Sequence, residues 1–257
     1  MRVDTGDNAG IAGFIITGNV PKHVVVRALG PSLTSFGFPS SALLADPVVE
    51  IHGPGNFGII TNNNWKDTQQ AQIQADGLAP TNDLESAIDA TLPPGNYSAV
   101  VRGNAGTAQA GIAVVEVYDI DTSVASKLAN LSTRAQVGTG SNVVIAGFIL
   151  GNQPGGDRIV VRGIGPSLSA FGVPNPLQDP TLELRDKDGT LLRSDNDWQD
   201  DSAQASEITA AGLAPSNPKE SAIAATLPPG SYTAILAGVN NGTGVGLVEV
   251  YDRGGRP

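Results

Sequence analysis

The chain has 257 residues, a formal net charge of -10 and no cysteine. These counts exclude disulfides, thiolate metal sites and cysteine nucleophiles, and the acidic balance argues against nucleic acid as a partner. No apolar run reaches the ~18 residues of a transmembrane helix, so no membrane insertion is expected. No signal-peptide pattern opens the chain, so any signal peptide would lie outside this sequence.

In chain order, the first elements already belong to an internal repeat. Residues 11–15 read Ile-Ala-Gly-Phe-Ile and return at 145–149, and the Val-Arg-x-x-Gly-Pro-Ser-Leu pattern of residues 26–33 returns at 161–168. Further matched segments are 77–80 with 212–215, 85–88 with 220–223, 91–95 with 226–230, and 115–119 with 248–252. The offset stays between 133 and 135 residues. It indicates two whole domains rather than solenoid units, which are usually ~20–50 residues long.

The repeat frame divides the chain into module one (1–120), a polar linker (121–127) and module two (128–257). Leu128 to Val137 is expected to open module two as a strand. Its counterpart in module one is cut short around Val3, as in an excerpt from a longer repeat array. An unpaired edge in module one would then recruit a partner strand.

Strand signals dominate both modules. Strands are expected in module two at 143–150, 158–162, 181–185, 190–193, 231–236 and 246–251, with the same pattern in module one. Short helices are expected at 67–75 and 203–211, with single helical turns at 31–36 and 166–171. About seven or eight short strands per module, separated by Gly/Pro-rich turns, predict an all-β fold of two tandem antiparallel β-sandwich modules, jelly-roll-like and related by the repeat.

Two segments of module two, residues 181–197 and 227–234, resemble bacterial pre-peptidase C-terminal domains. Module one shows the same frame more loosely, and the opening Gly-Pro-Ser-Leu segments are not part of that pattern. The resemblance implies a secreted or cell-surface, non-catalytic β-sandwich. It also implies an acidic loop that often binds calcium, with polysaccharide or another surface protein as the partner.

The strongest candidate for a metal site in the sequence is a loop rich in Asp and Asn. Its candidate calcium ligands are Asp195, Asn196, Asp197, Asp200 and Asp201. Calcium takes six to eight oxygen ligands, which such a loop can supply. The alternative is an Asx-rich turn that closes a hairpin. Module one has Asn-Asn-Asn-Trp-Lys-Asp-Thr at 62–68, so any calcium binding there should be weaker.

Four further residues are candidate ligand-binding positions: Trp65, Trp198, Arg27 and Arg162. Matched aromatic residues in two diverged copies are more often core residues than ligand platforms. For the arginines the structural interpretation is a partly buried pair with a carboxylate that fixes a loop. Shared carboxylates that could serve are Glu85, Glu220, Asp46 and Asp179.

Catalysis has little support in the sequence. Ser32 and Ser167 follow Gly-Pro, but the pattern is not the Gly-x-Ser-x-Gly elbow. The only histidines, His23 and His52, lie in module one, so a triad common to both modules is impossible. They are expected on exposed strand positions, and a metal site formed by the two is conceivable. Paired strand glutamates could serve a glycosidase only if they lay within reach of one another.

The sequence therefore favours a non-catalytic extracellular tandem for binding or structural presentation at a bacterial surface, with calcium as a possible stabilising ion. One alternative is a subunit of an extracellular fibre or sheath that self-associates by strand pairing. Another is a carbohydrate-active enzyme or metalloenzyme.

Overall fold

A computed structural model of the chain describes residues 1–6, 9–107, 109–151 and 155–255. The chain divides into two compact units, Met1–Ala129 and Asn130–Pro257. Residues 7–8, 108, 152–154 and 256–257, which the repeat frame assigns to the two modules, lie outside the described part. None of the helices in the described residues combines the length and apolar character that a membrane span requires.

Unit 1 consists of short antiparallel strands. They are β1 (Arg2–Val3), β2 (Gly10–Thr17), β3 (Lys22–Leu29), β4 (Pro47–His52), β5 (Ile60–Asn62), β6 (Ser86–Leu92), β7 (Gly95–Gly103), β8 (Gly111–Ile112) and β9 (Val114–Asp119). One sheet has the order β2-β7-β4-β5, and a second has the order β6-β3-β9. β1 pairs with β8.

Unit 2 has a matching set of strands. They are β10 (Lys127–Val137, which begins within unit 1), β11 (Val144–Leu150), β12 (Asp157–Ile164), β13 (Pro180–Asp186), β14 (Leu191–Asp195), β15 (Ser221–Leu227), β16 (Gly230–Gly238) and β17 (Gly244–Gly255). The two sheets have the orders β15-β12-β17-β10 and β11-β16-β13-β14.

Counted within unit 2, the strand orders are 6-3-8-1 and 2-7-4-5, which is the arrangement of an eight-stranded jelly roll. The fold is therefore all-β and antiparallel, as the strand spacing and Gly/Pro-rich turns predicted. The sheets face one another, because a Cβ on Gly163 of β12 would meet Leu182 and Leu236 of the other sheet at less than 3 Å. The core fills this interface.

Among the described residues, each unit carries one short α-helix, α1 (Gln70–Ala75) or α2 (Ser202–Ala210), close to the expected positions. The helix packs outside β6 or β15: Ile73 meets Trp65 and Ala87, and Ile208 meets Trp198. Among the matched aromatic pairs, Phe36 and Phe171 depart from the core interpretation, with 75% and 83% of their surface exposed. They end the 3₁₀ turns Pro31–Phe36 and Pro166–Phe171 and point away from the core.

The Gly-Pro-Ser turn of each unit closes over a buried glutamate. In unit 2 one carboxylate oxygen of Glu220 accepts hydrogen bonds from the Gly165 and Ser167 amides at 3.0 Å and from the Ser167 hydroxyl at 2.5 Å. Glu85 makes the same three contacts in unit 1. Glycine is required in this turn, because a Cβ on Gly165 would lie 2.1 Å from the carbonyl oxygen of Leu177. The serine hydroxyl thus donates to a structural carboxylate that is fully buried.

The glutamate can be tested by truncation. Glu220→Ala leaves two buried amides and a hydroxyl without their acceptor, so it should lower the unfolding free energy of unit 2 by roughly 3–5 kcal/mol. Ser167→Ala removes one donor and should cost about 1 kcal/mol. Glu183→Ala, with a 40% exposed side chain, is the control and should stay within ~0.5 kcal/mol of wild type. Denaturant melts measure all three, and a Glu220→Ala variant as stable as the control would contradict this role.

Candidate functional site

The last strand of unit 1, β9, differs from its counterpart β17 in the number of its neighbours. β17 lies between β12 and β10, and its pairing with β10 runs from Asn130↔Tyr251 to Val137↔Gly244. β9 pairs with β3 alone among the described residues and forms the edge of its sheet. One side of its backbone is therefore free to pair with another strand.

The missing neighbour has a visible effect on burial. Val248 and Val250 of β17 are 0% and 6% exposed. Their counterparts Val115 and Val117 are only half-buried, as are all six residues of β9. An apolar pair left partly exposed on the core side of an edge strand is a surface suited to β-augmentation.

The register at the start of the chain shows how much of the edge is covered. Val3 lies opposite Gly111, and Val137 lies opposite the matching Gly244. Arg2 and Val3 therefore occupy the places of the last two residues of β10. Met1 takes the next place, because it donates to the Ala113 carbonyl at 2.9 Å and accepts from the Ala113 amide at 3.0 Å. The uncovered strand β9 is therefore the counterpart of the stretch of β17 that pairs with residues 130–134.

The usual protection of an edge is weak in β9. The strand is six residues long, has the sequence Val-Val-Glu-Val-Tyr-Asp, and pairs with β3 without a register shift. It contains no lysine or proline. Its two charges are engaged within their own sheet, Glu116 with Arg27 at 2.5 Å and Asp119 with Lys22 at 2.8 Å. They leave the outer backbone side of the strand accessible.

Two carboxylates of the acidic loop of unit 2 accept hydrogen bonds from backbone amides. Asp201 caps α2 by accepting from the Ala203 and Gln204 amides, and Asp195 accepts from the Ala222 amide at 2.7 Å. Burial raises the pKa of Asp195, and Asp200, Asp197 and Asp201 raise it further, against the Ala222 hydrogen bond. Asn196 makes one long contact, 3.4 Å, to Asp197.

Unit 1 replaces the central charge of this loop with an amide. Asn62, the counterpart of Asp195, accepts from the Ala87 amide at 3.0 Å and donates to the Asn64 carbonyl at 3.0 Å. The bond to the strand backbone therefore needs an oxygen acceptor and no charge. The concentration of negative charge is a property of unit 2 alone.

Most of the hydrogen-bonding capacity of the candidate arginines is used by contacts within the protein. Arg162 donates to Glu249 through Nε and Nη2, to the Leu213 carbonyl and to the Tyr251 hydroxyl. Arg27 makes the same set of bonds with Glu116, Leu78 and Tyr118. Burial and Glu249 raise the pKa of Tyr251 to about 12. The carboxylate partners are these strand glutamates rather than Glu85 or Glu220, and the bond to the main-chain carbonyl fixes the loop after each helix.

The candidate tryptophans are core residues in this structure. Trp65 is 4% exposed and Trp198 is 9% exposed, and each packs between its helix and its sheet. The Lys66 ammonium lies 5.2 Å from the centre of the Trp65 ring. A sugar would need an exposed ring face for stacking, and neither indole offers one.

The histidines do not come together. His52 on β4 contacts Glu50 at 3.1 Å, whereas His23 on β3, in the other sheet, is 3.0 Å from Asp89. His23 is half-buried rather than exposed, since 32% of its side chain is accessible. Sequence reasoning missed Asp89 and its neighbour Asp76, which carry no recognisable motif.

The strand glutamates considered for glycosidase chemistry are held by arginines. Glu50 pairs with Arg102, Glu183 with Arg185, and Glu116 and Glu249 pair with Arg27 and Arg162. For Glu50 the arginine and His52 hold the pKa below its ordinary value, against the effect of burial. A general acid needs the opposite shift.

Comparisons with known proteins add little. No protein-family model and no curated protein matches the chain. The crystal structure of the infectious bursal disease virus VP2 subviral particle aligns over 93% of this chain with 11% identity and a TM-score of 0.17, and this chain spans only 58% of that one. The structure of the Gx strain of the same virus aligns over 100% of this chain and 72% of its own, with 10% identity and a TM-score of 0.15. Scores this low carry no argument.

The difference between Asp195 and Asn62 gives a pair of reciprocal variants. A raised folded-state pKa means that the folded protein loses stability as the pH rises through that pKa, because ionised Asp195 is disfavoured. Asp195→Asn keeps the acceptor for Ala222 and should raise the melting temperature of unit 2 at pH 7 by roughly 2–4 °C in chelator. The gain should shrink towards pH 4.

Asn62→Asp in unit 1 is the matched control and should lower the melting temperature at pH 7. Calorimetry at the two pH values measures both variants. A lower melting temperature for Asp195→Asn at pH 7 would contradict the account of the loop.

Proposed function

We propose that the protein is a non-catalytic, strand-accepting binding module. In this proposal, β9 binds an extended segment of another polypeptide chain as an additional antiparallel strand. The observation that carries the proposal is the uncovered edge of β9 at the place where β17 is covered by β10.

The pairing of β10 with β17 serves as the template for the partner. Carried over to β9, the register places a residue like Leu131 opposite Val117 and one like Thr133 opposite Val115. Cross-strand pairs of this kind are the unit of sheet stabilisation. The partner segment is therefore extended, alternates apolar and polar residues, and needs no charge at the positions that face the core.

The energetics favour a weak or tethered partner. Completing the burial of the two valines contributes about 1 kcal/mol each, and each added backbone hydrogen bond contributes a net ~0.5–1.5 kcal/mol. Ordering a free peptide costs about 1–2 kcal/mol per residue. A short free segment should therefore bind with a Kd of roughly 0.1–1 mM, and a segment that is already ordered should bind more tightly.

The wider setting of this function rests on the sequence. The resemblance to pre-peptidase C-terminal domains supports secretion or a cell-surface location. It also leaves polysaccharide as a second class of partner. Self-association into a fibre is the form that the proposal takes when the partner segment comes from a second copy of this chain. The saturated arginines and ion-paired glutamates support a non-catalytic role.

A peptide of residues 127–134 is the direct probe of the edge. Added to isotope-labelled protein, it should shift the amide signals of β9 in a saturable way, because it supplies the missing neighbour in the register seen in unit 2. The control peptide carries Ser132→Pro and Thr133→Pro. Two consecutive prolines remove the amide that faces β9, whichever of the two it is. Equal shifts with both peptides, or none with either, would contradict strand addition.

A covalent version of the same test avoids weak affinity. The register equates Val3 with Val137, so residues 127–134 fused ahead of Met1 would continue the strand along β9. The graft should raise the melting temperature of unit 1 by several degrees and abolish peptide binding, because tethering supplies a high effective concentration. Light scattering on both proteins tests self-association. A graft that leaves both stability and peptide binding unchanged would contradict the proposal.

Calcium at the acidic loop is a second proposal, supported by the density of oxygen ligands there; burial raises the pKa of Asp195, and Asp200, Asp197 and Asp201 add to the rise. An ion bound only by the folded state stabilises it by about 2.7 kcal/mol at a hundredfold excess over Kd. Unit 2 should melt at a higher temperature in millimolar calcium than in chelator, and unit 1 should shift less. Asp195→Asn with Asp197→Asn should remove most of the shift. Melting that is independent of calcium would leave the loop as an Asx turn.

A further inference from the structure

A histidine and two aspartates converge on the outer face of the three-stranded sheet of unit 1. His23 on β3 and Asp89 on the neighbouring β6 are offset by two positions, and the Nε2 atom lies 3.0 Å from both carboxylate oxygens of Asp89. Asp76, at the C-terminal end of α1, contributes a third group. One ligand atom from each residue lies within 4.8 Å of the other two.

The cluster holds two carboxylates close together beside one imidazole, which contacts Asp89. The Oδ2 atom of Asp76 is shielded from solvent and has no hydrogen-bond partner among the described residues. A shielded oxygen without a donor, beside a second carboxylate and an imidazole, is a ready acceptor for a cation.

We propose that His23, Asp76 and Asp89 bind a divalent first-row transition-metal ion. Imidazole nitrogen with carboxylate oxygen suits ions such as zinc, whereas calcium takes oxygen ligands. Ligand atoms about 2.1 Å from a metal lie roughly 3.0–3.4 Å from one another. His23 and Asp89 already have this spacing. A carboxylate oxygen of Asp76 lies within 4.8 Å of both, so a change of its side-chain rotamer would complete the set.

The protein holds the strand ligands firmly and leaves coordination positions open. The side-chain amide of Gln69 donates to the Asp89 carbonyl at 2.6 Å and accepts from the Asp89 amide at 3.1 Å, which fixes the backbone at this position. Asp89 is also among the lining residues of a groove of about 420 Å³ beside β6. Three protein ligands leave room for water or a small anionic ligand on the ion.

The second copy of the module shows that the fold does not require this cluster. The counterparts of His23, Asp76 and Asp89 in unit 2 are Arg158, Ala211 and Ala224. Arg158 pairs there with Glu207 at 3.1 Å on the adjacent helix. The metal site therefore belongs to unit 1 alone, and it needs nothing at the edge of β9.

Calorimetric titration of the tag-free protein with zinc chloride tests the site. Wild type should bind one zinc ion, and the cobalt-substituted protein should show the visible absorption of a low-symmetry site. Three single variants, each of which introduces the residue found in unit 2, remove one ligand at a time: Asp76→Ala, Asp89→Ala and His23→Arg. Each should weaken zinc binding by more than about tenfold, because even the loss of a residue that only supports a metal ligand can weaken binding by that much. His52→Ala, a histidine beside Glu50 on the other sheet, should leave it unchanged.

Asp89→Asn retains the shape of the side chain and guards against a loss caused by unfolding, which circular dichroism monitors. This variant should also lose zinc binding and the visible absorption of bound cobalt, while its circular dichroism spectrum stays that of wild type. The proposal is overturned if wild type binds neither zinc nor cobalt. It is also overturned if a folded variant with all three ligand substitutions binds zinc as well as wild type does, or if His52→Ala weakens zinc binding as much as His23→Arg.

Discussion

A strand inside a sheet needs a hydrogen-bonding neighbour on each side, and this requirement is met for β17 and only half met for β9. Unit 2 satisfies it with β10, and Val248 and Val250 are buried as a result. In unit 1, Met1 and strand β1 pair with residues 111–113 and not with β9, and the valines of β9 stay half-buried. The row of unpaired N–H and C=O groups along an open edge is a template for pairing with another chain, so an edge of this kind favours recruitment of a strand.

The two units share a polar framework and differ in the chemistry placed on it. The buried glutamate under the Gly-Pro-Ser turn and the Arg–Glu–Tyr contact occur in both. Because these groups satisfy one another, they hold the loops and leave little capacity for a ligand. The differences are more informative. Unit 2 has the charged Asp195 where unit 1 has Asn62, and unit 1 has His23 where unit 2 has Arg158. Candidate functions therefore divide between the copies.

Local signals in the sequence were sufficient for most of the fold. Alternating residues predicted β13, and the β-branched run predicted β12. The sequence did not single out β15 or β6, because both are alanine-rich and lack alternation. Their residues are buried on both faces, since α2 packs over Ala222 and Ala224 from outside. A strand covered on both sides loses the period-two pattern that identifies it.

The candidate sites were less predictable for a physical reason. The acidic loop is conspicuous in the sequence, but its density of carboxylates does not show that Asp201 caps a helix and Asp195 binds a backbone amide. His23, Asp76 and Asp89 are far apart in the chain and meet only through the pairing of β3 with β6 and the position of α1.

Amide hydrogen exchange along β9 and β17 at low protein concentration tests the central claim most directly. The account predicts that the outward-facing amides of Val114 to Asp119 exchange rapidly, whereas the matching amides of β17 are protected by β10. The amides of β9 that face β3 are the internal control, because their protection reports the stability of unit 1 itself. Equal protection of the two strands in the monomeric protein would show that the edge of β9 is already covered and would contradict the account.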